Sequence, residues 1–169
     1  KDENFIAFAE SVAALALASG TTDAEALAGQ ELADGRTVEA ARTELIQKVG
    51  ENIGVRRIEA VSAEGVLASY AHGARIGVVI ALDGGDEDLA RDVAMHVAAM
   101  NPQYVSEADV PADTLERERR ILTEQAQDSG KPADIIEKMV TGRVNKFLKE
   151  ITLLGQPFVK DDSVTVGKL

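Results

Sequence analysis

Apolar residues recur every three or four positions in two stretches near the start of the chain. The first stretch consists of Phe5, Phe8, Val12 and Leu15. It predicts an amphipathic helix over residues 1–18, with Asp2 as its N-cap and Gly20 as its stop. The same spacing predicts a second helix over residues 37–50. Residues 20–36, which mix turn residues with a short helical patch, predict a flexible connection between the two helices.

The periodicity changes to that of strands from Ile53 onward. Residues 53–61 predict a first strand, and residues 66–70 alternate cleanly between apolar and polar side chains. Residues 76–82 are almost continuously apolar, which is typical of a central strand that is covered on both faces. Three successive strands with short breaks favour an antiparallel sheet. Residues 87–100 return to helical spacing, and Asp86 is the expected N-cap of that helix.

Two further helices are predicted in residues 111–151, joined by the loop at residues 128–132. Gly130 suits a left-handed C-terminal cap, and Pro132 suits the first turn of the next helix. An apolar stripe on each helix and a short loop between them predict an antiparallel coiled-coil hairpin. The fold class that follows is α+β, with a small antiparallel sheet packed against helices and an inserted antiparallel coiled-coil helical hairpin.

Composition excludes several classes of function. The chain has 169 residues, is 45% hydrophobic and carries a formal net charge of −11. Such an acidic protein is a poor candidate for binding nucleic acid directly or for binding an anionic membrane surface. It has no cysteine, which excludes disulfides, thiol chemistry and cysteine-ligated zinc, and which is compatible with the cytoplasmic location that we expect. The first residues resemble neither a signal peptide nor a natural start, so we expect an excised fragment.

The break between the two later strands carries the candidate functional residues. His72 and Gly73 lie at this break, between Tyr70 and Arg75. A solvated turn is one interpretation, and contact with a partner protein is the other, because loops on rigid scaffolds often carry function. For the second histidine, His96, the pattern predicts a hydrogen-bonded histidine in the core or in an interface.

Nothing in the sequence forms a convincing catalytic or metal-binding set. Residues 83–88 (DGGDED) cluster carboxylates, but the spacing of a calcium loop is absent and such acids ordinarily cap a helix. Phosphate-binding loops, dinucleotide fingerprints and nucleophile elbows are also absent from the sequence. We therefore expect a non-enzymatic interaction protein without catalytic residues, metal or cofactor. A coiled-coil adaptor and a small acidic hydrolase are the alternatives.

Five segments, in this order, make the chain similar to a known family. They are residues 48–57 (KVGENIGVRR), 70–77 (YAHGARIG), 92–99 (DVAMHVAA), 129–140 (SGKPADIIEKMV) and 154–158 (LGQPF). Each segment is weak by itself, but the collinear set is specific. On these residues the chain resembles the elongation factor Ts family of bacterial translation.

The resemblance implies a guanine nucleotide exchange factor that binds elongation factor Tu, both with GDP and without nucleotide. It implies a core of two subdomains and a coiled coil. We assign residues 1–50 to the helices of the first subdomain, and residues 51–110 with the return segment 152–169 to the second. Residues 111–151 form the coiled coil.

The resemblance also implies which residues bind the partner. His72 and Gly73 match the pair that the family directs at the third domain of elongation factor Tu, with Arg75 as a neighbour of the pair. The family's Thr-Asp-Phe motif, which disturbs the magnesium and phosphate site of Tu, is missing from this sequence, as is its N-terminal helical module. We therefore expect docking to be retained and nucleotide exchange to be poor. A homodimer stays open.

Overall fold

The structure is a computed structural model that describes residues 2–73 and 75–169. Its helices are α1 (Glu3–Ser19), α2 (Ala24–Ala28), α3 (Val38–Val49), α4 (Glu87–Met100), α5 (Ala112–Gln127) and α6 (Ala133–Ile151). Its strands are β1 (Val66–His72), β2 (Ile76–Leu82), β3 (Pro157–Phe158) and β4 (Asp161–Thr165), which form two antiparallel pairs, β1 with β2 and β3 with β4. The predicted α+β class is confirmed.

The chain divides into two compact units, one that ends at Ser62 and one that spans Ala63–Leu169. Each unit has its own cluster of buried apolar side chains. The four-part division into residues 1–50, 51–110, 111–151 and 152–169 stays a prediction.

The first unit consists of α1, α2 and α3 and the segments beside them. Asp2 caps α1 by accepting hydrogen bonds from the backbone N–H groups of Asn4 and Phe5, and Gly20 ends the helix at φ 68°. The predicted helix, cap and stop are confirmed. Residues 20–36 are not a flexible connection, because Leu27 and Leu32 within them are buried in the same cluster as Val12 of α1.

The strand predicted at residues 53–61 is absent. The structure describes every residue from 52 to 63, and none of them lies in a helix or strand. Val55 and Ile58 pack instead against the apolar cluster of the first unit, and Arg42 donates to the carbonyl of Ile53 at 2.7 Å. A strand exists only where a neighbour completes its hydrogen bonds. The described part of this unit supplies no such neighbour.

Strands β1 and β2 form an antiparallel hairpin on one side of α4. The register runs from the pair Val66 and Leu82 to the pair His72 and Ile76. Burial alternates along both strands, so β2 is not covered on both faces as predicted. One face packs on α4, and the other carries Val79, which is 47% exposed.

Helices α5 and α6 form the predicted helical hairpin, and the turn at residues 128–130 includes Gly130 at φ 65°. Its interior is a cluster of its own, formed by the buried residues Leu122, Ala126, Val140, Val144 and Leu148. Supercoiling of the two helices as a coiled coil stays a prediction.

The base of the helical hairpin is held by the segment that follows α4. The backbone N–H of Gln103 donates to the carbonyl of Ile151 at 2.9 Å, and that of Leu153 donates to the carbonyl of Tyr104 at 2.8 Å. The chain then returns along α4, where Phe158 and Val166 join the cluster that backs the sheet. The helical hairpin and the β1–β2 hairpin therefore belong to one unit.

Candidate docking site

The end of the β1–β2 hairpin presents the residues that the sequence singles out. Strand β1 places His72 at its last position, opposite Ile76 of β2, and the His72 side chain is exposed. The alternation of the strand puts His72 on the same face as Tyr70, which is the face toward α4. Because His72 lies at the end of the strand, its imidazole is accessible to another molecule.

Tyr70 orients His72. The Tyr70 hydroxyl lies 3.1 Å from Nδ1 of His72, which is hydrogen-bonding distance, and the two ring centroids are 6.2 Å apart. The two residues are two positions apart in the strand, so their side chains are neighbours on one face. This hydrogen bond leaves Nε2 of His72 as the ring nitrogen that faces solvent.

Gly73 follows at the start of the turn and has φ 63°. This left-handed conformation suits glycine, and no atom lies within 4 Å of the position that a Cβ would occupy. A partner could therefore approach the backbone closely at this point. Arg75 lies across the turn and is also exposed, so the same turn carries a positively charged residue. Residue 74, between them, lies outside the described residues.

The outer face of the same hairpin is a feature that the sequence analysis missed. Leu67 is 48% exposed and Val79 is 47% exposed, and both lie on the face that points away from α4. Their neighbours on this face are small: Ser69, Ala71, Gly77 and Ala81. The clean alternation at residues 66–70 could have indicated an open face, since a strand buried on both sides shows no such alternation.

Carboxylates with a displaced pKa serve pairing and capping in this protein. A donating hydroxyl lowers the pKa of Asp109 and of Asp161, a guanidinium lowers the pKa of Asp34 and of Glu39, and a backbone N–H lowers the pKa of Asp2. A carboxylic acid that acts as a general acid needs the opposite shift. These five groups therefore do not favour the acidic hydrolase.

Among the carboxylates at residues 83–88, Asp86 caps a helix. Asp86 accepts a hydrogen bond from the backbone N–H of Leu89 at 2.8 Å, as the sequence predicts for the start of α4. Across residues 2–73 and 75–169, no three histidine or acidic side chains form a group that could hold a metal ion. In the same part of the chain, no helix combines the length and the apolar character that crossing a membrane requires.

His96 is the second histidine, and it is fully buried in α4. Its Nε2 lies 2.9 Å from Oε1 of Gln156, and its Nδ1 accepts a hydrogen bond from the backbone N–H of Val159 at 3.1 Å. The prediction of a hydrogen-bonded core histidine is confirmed. Gln156 was not singled out, because it lies 60 positions away along the chain.

Comparison with known proteins assigns the family. The family model described as "Elongation factor TS" matches residues 1–169. The chain belongs to the elongation factor Ts family. It is 56% identical over 169 residues to the elongation factor Ts of Hydrogenovibrio crunogenus. That alignment covers 100% of this chain and 58% of the relative. It is 59% identical over 161 residues to the elongation factor Ts of Arthrospira platensis. That alignment covers 95% of this chain and 65% of the relative.

A further relative, the elongation factor Ts of Legionella pneumophila strain Lens, is 54% identical across the whole chain and is covered to 58% of its length. This member of the family therefore spans about three fifths of the length of such relatives. The resemblance stated from the five collinear segments is confirmed. His72, Gly73 and Arg75 as partner-binding residues stay a prediction.

Proposed function

We propose that this chain is the docking part of a guanine nucleotide exchange factor, which binds elongation factor Tu and promotes the release of GDP. Membership of the elongation factor Ts family supports the proposal. The observation that carries it is the exposed imidazole of His72 beside the left-handed Gly73, at the free end of the β1–β2 hairpin.

Three properties make this hairpin end suitable for a protein partner. The imidazole is held by Tyr70, so little side-chain freedom is lost when it inserts into a pocket of the partner. The glycine allows the partner to approach the backbone without meeting a Cβ. Arg75 places a positive charge at the edge of a protein whose net charge is −11, which favours an acidic patch on the partner.

Binding in solution tests the docking role of His72. We expect His72→Ala to weaken binding to elongation factor Tu by roughly tenfold, as for a residue at the centre of a small interface. Tyr70→Phe keeps the aromatic ring and removes the hydroxyl that orients the imidazole, so a smaller loss is expected. The measurement is isothermal titration calorimetry with Tu in its GDP-bound and nucleotide-free states.

Lys138→Ala is the control for this measurement, because Lys138 is an exposed residue on α6 of the helical hairpin. It should leave the affinity unchanged. If the wild-type chain binds Tu and His72→Ala binds it with the same affinity, the docking role proposed for the end of the β1–β2 hairpin is contradicted.

The exchange step is measured separately, as release of a fluorescent GDP analogue from Tu. The longer elongation factor Ts of Hydrogenovibrio crunogenus is the positive control. We expect this chain to accelerate release less than the longer relative does, because the sequence has no Thr-Asp-Phe motif. Equal acceleration by both proteins would refute that expectation.

The non-enzymatic coiled-coil adaptor is the second candidate function. The separate apolar cluster of the α5–α6 hairpin favours it, since this element has an interior that does not depend on the sheet. In that case the partner would bind the helical hairpin, and His72→Ala would have no effect on it.

A further inference from the structure

A buried chain of hydrogen bonds connects α4 with the helical hairpin. His96 is 0% exposed and Gln156 is 3% exposed. Nε2 of His96 lies 2.9 Å from Oε1 of Gln156, and Nε2 of Gln156 donates to the backbone carbonyl of Glu150 at 2.7 Å. Glu150 is in the last turn of α6. Two hydrogen bonds thus lead from the middle of one helix to the end of another.

The pattern of donors and acceptors assigns the proton on His96. Gln156 uses its amide N–H toward Glu150, so its amide oxygen faces His96 and requires a donor there. The backbone N–H of Val159 points at Nδ1 and requires an acceptor. His96 is therefore a neutral imidazole with its hydrogen on Nε2. No other protonation state satisfies both neighbours.

On the α4 side, His96 is one turn beyond Val93, which packs in the cluster that holds Ile80 of β2. The ring of His96 also lies against Phe158 of β3, with centroids 5.9 Å apart. His96 thus lies in α4, the helix that packs against the β1–β2 hairpin. Removal of its ring nitrogens would leave the buried Gln156 oxygen without a donor and would take away the acceptor of the part-buried Val159 N–H.

A second attachment of the helical hairpin is a short run of backbone hydrogen bonds. These bonds join residues 103–105 to residues 151–154. All of these hydrogen bonds involve one short segment on each side. The side-chain bridge through His96 and Gln156 adds a separate restraint, because it joins α4 to the carbonyl of Glu150 in the last turn of α6.

We propose that His96 is a positioning residue, whose neutral imidazole fixes the direction of the helical hairpin relative to α4 and the β1–β2 sheet. An effect of His96 on binding to elongation factor Tu would depend on the function proposed above. The role of His96 in setting the direction of the helical hairpin does not depend on that function.

The absence of native cysteine allows a direct measurement of this geometry. Ser69→Cys on β1 and Gln125→Cys on α5 place nitroxide labels on two exposed positions of the full chain. Pulsed electron–electron double resonance then gives the distribution of distances between the sheet and the helical hairpin. We expect one narrow distribution for the protein with His96 intact.

Three substitutions of His96 separate its hydrogen bonds. His96→Gln can keep a donor near the Nε2 position, and His96→Asn can keep an acceptor near the Nδ1 position. His96→Leu keeps the bulk and removes both. We expect a broadened distribution for His96→Leu and His96→Asn, and a narrow one for His96→Gln, which preserves the contact with Gln156. If His96→Leu does not fold, the comparison of His96→Gln with His96→Asn tests the proposal.

Lys160→Ala is the matched control, because Lys160 forms an exposed salt bridge at 2.8 Å with Asp92, one turn before His96 on α4. It should leave the distribution narrow. Unchanged distributions in both His96→Asn and His96→Leu, or equal broadening in Lys160→Ala, would overturn the proposal.

Nitrogen NMR of the wild-type imidazole gives an independent signature. We expect a protonated Nε2 and an unprotonated Nδ1 at neutral pH, and the reverse tautomer would overturn the assignment. Affinity for Tu is measured on the same variants. If the wild-type chain does not bind Tu, the proposed function fails, while the distances still decide the role of His96.

Discussion

At the scale of single residues, a glycine in the middle of α6 and a glycine just after this helix have opposite surroundings. Gly142 lies within α6, and nothing is found within 4 Å of the place where a Cβ would lie. A Cβ on Gly155 would lie 2.8 Å from the Cα of Lys149 and 2.7 Å from Oγ1 of Thr152. The first glycine is a weak point of its helix, and the second is required by close packing.

Alanine at the two positions should therefore act in opposite directions. We expect Gly155→Ala to lower the free energy of unfolding by about 1–3 kcal/mol, because the backbone of Lys149 must move. Gly142→Ala should raise it by about 0.5–1 kcal/mol, because alanine is the better helix former. Urea unfolding monitored by circular dichroism measures both, and a destabilised Gly142→Ala would contradict the open surroundings.

Local sequence was sufficient to place His72 and Gly73 at a strand break, because the break is marked by neighbouring residues. It was also sufficient to assign His96 to the core, since His96 lies beside the apolar stripe of its helix. It could not identify Gln156 as the partner of His96, because 60 residues separate them and only the folded chain brings them together. The periodicity of apolar residues cannot predict side-chain pairs of this kind.

At the scale of elements, helix α1 begins at a carboxylate that stabilises it. The Asp2 side chain accepts from the N–H of Phe5 at 3.0 Å and of Asn4 at 2.9 Å. Hydrogen bonds from Phe5 and Asn4 hold the pKa of Asp2 below its ordinary value of 3.8. The charged form is thus the one that the folded helix favours.

The contribution of Asp2 to stability should depend on pH. Its pKa is lowered on folding, so the contribution is complete above about pH 5 and is lost as the pH falls through the folded value. Asp2→Asn keeps a capping oxygen but no charge. We expect its free energy of unfolding to be lower than that of the wild type at neutral pH and to approach the wild-type value in acid. Urea unfolding at several pH values measures this difference.

Glu3→Gln is the control for this prediction, since it removes a charge from the same turn but not the capping oxygen. It should show a weaker dependence on pH than Asp2→Asn. A difference between wild type and Asp2→Asn that stays constant from pH 7 down to acid would contradict the role of the charge.

Helices were predicted more reliably than strands for a physical reason. The hydrogen bonds of α1, α3, α4, α5 and α6 are internal, so spacing and caps in the local sequence predicted them. A strand needs a neighbour, and the pattern of residues 53–61 cannot say whether one is present. The apolar run of β2 likewise could not reveal that only one of its faces is covered in the described residues.

At the scale of the whole molecule, the helical hairpin and the sheet have separate interiors within one unit. The cluster around Leu122 and Val144 belongs to α5 and α6, whereas the cluster around Val93 and Phe158 lies beneath the sheet. The distal part of the helical hairpin can therefore be removed without opening the cluster beneath the sheet.

A shortened helical hairpin distinguishes the two candidate functions. Removal of residues 120–141, with a short glycine-containing turn in their place, should change the affinity for Tu by less than about threefold. The reason is that the proposed docking end of the β1–β2 hairpin and the helix α4 behind it are retained. Calorimetry measures the affinity, and circular dichroism verifies folding. Loss of binding in a folded protein would favour the adaptor.

A pair of strands is seldom stable by itself in water. Helix α4 makes the β1–β2 pair stable here by covering one of its faces. The proposed docking end of this hairpin is thus only as rigid as the helix that lies behind it. We therefore expect any solvent condition that loosens α4 to weaken the proposed docking before the chain as a whole unfolds.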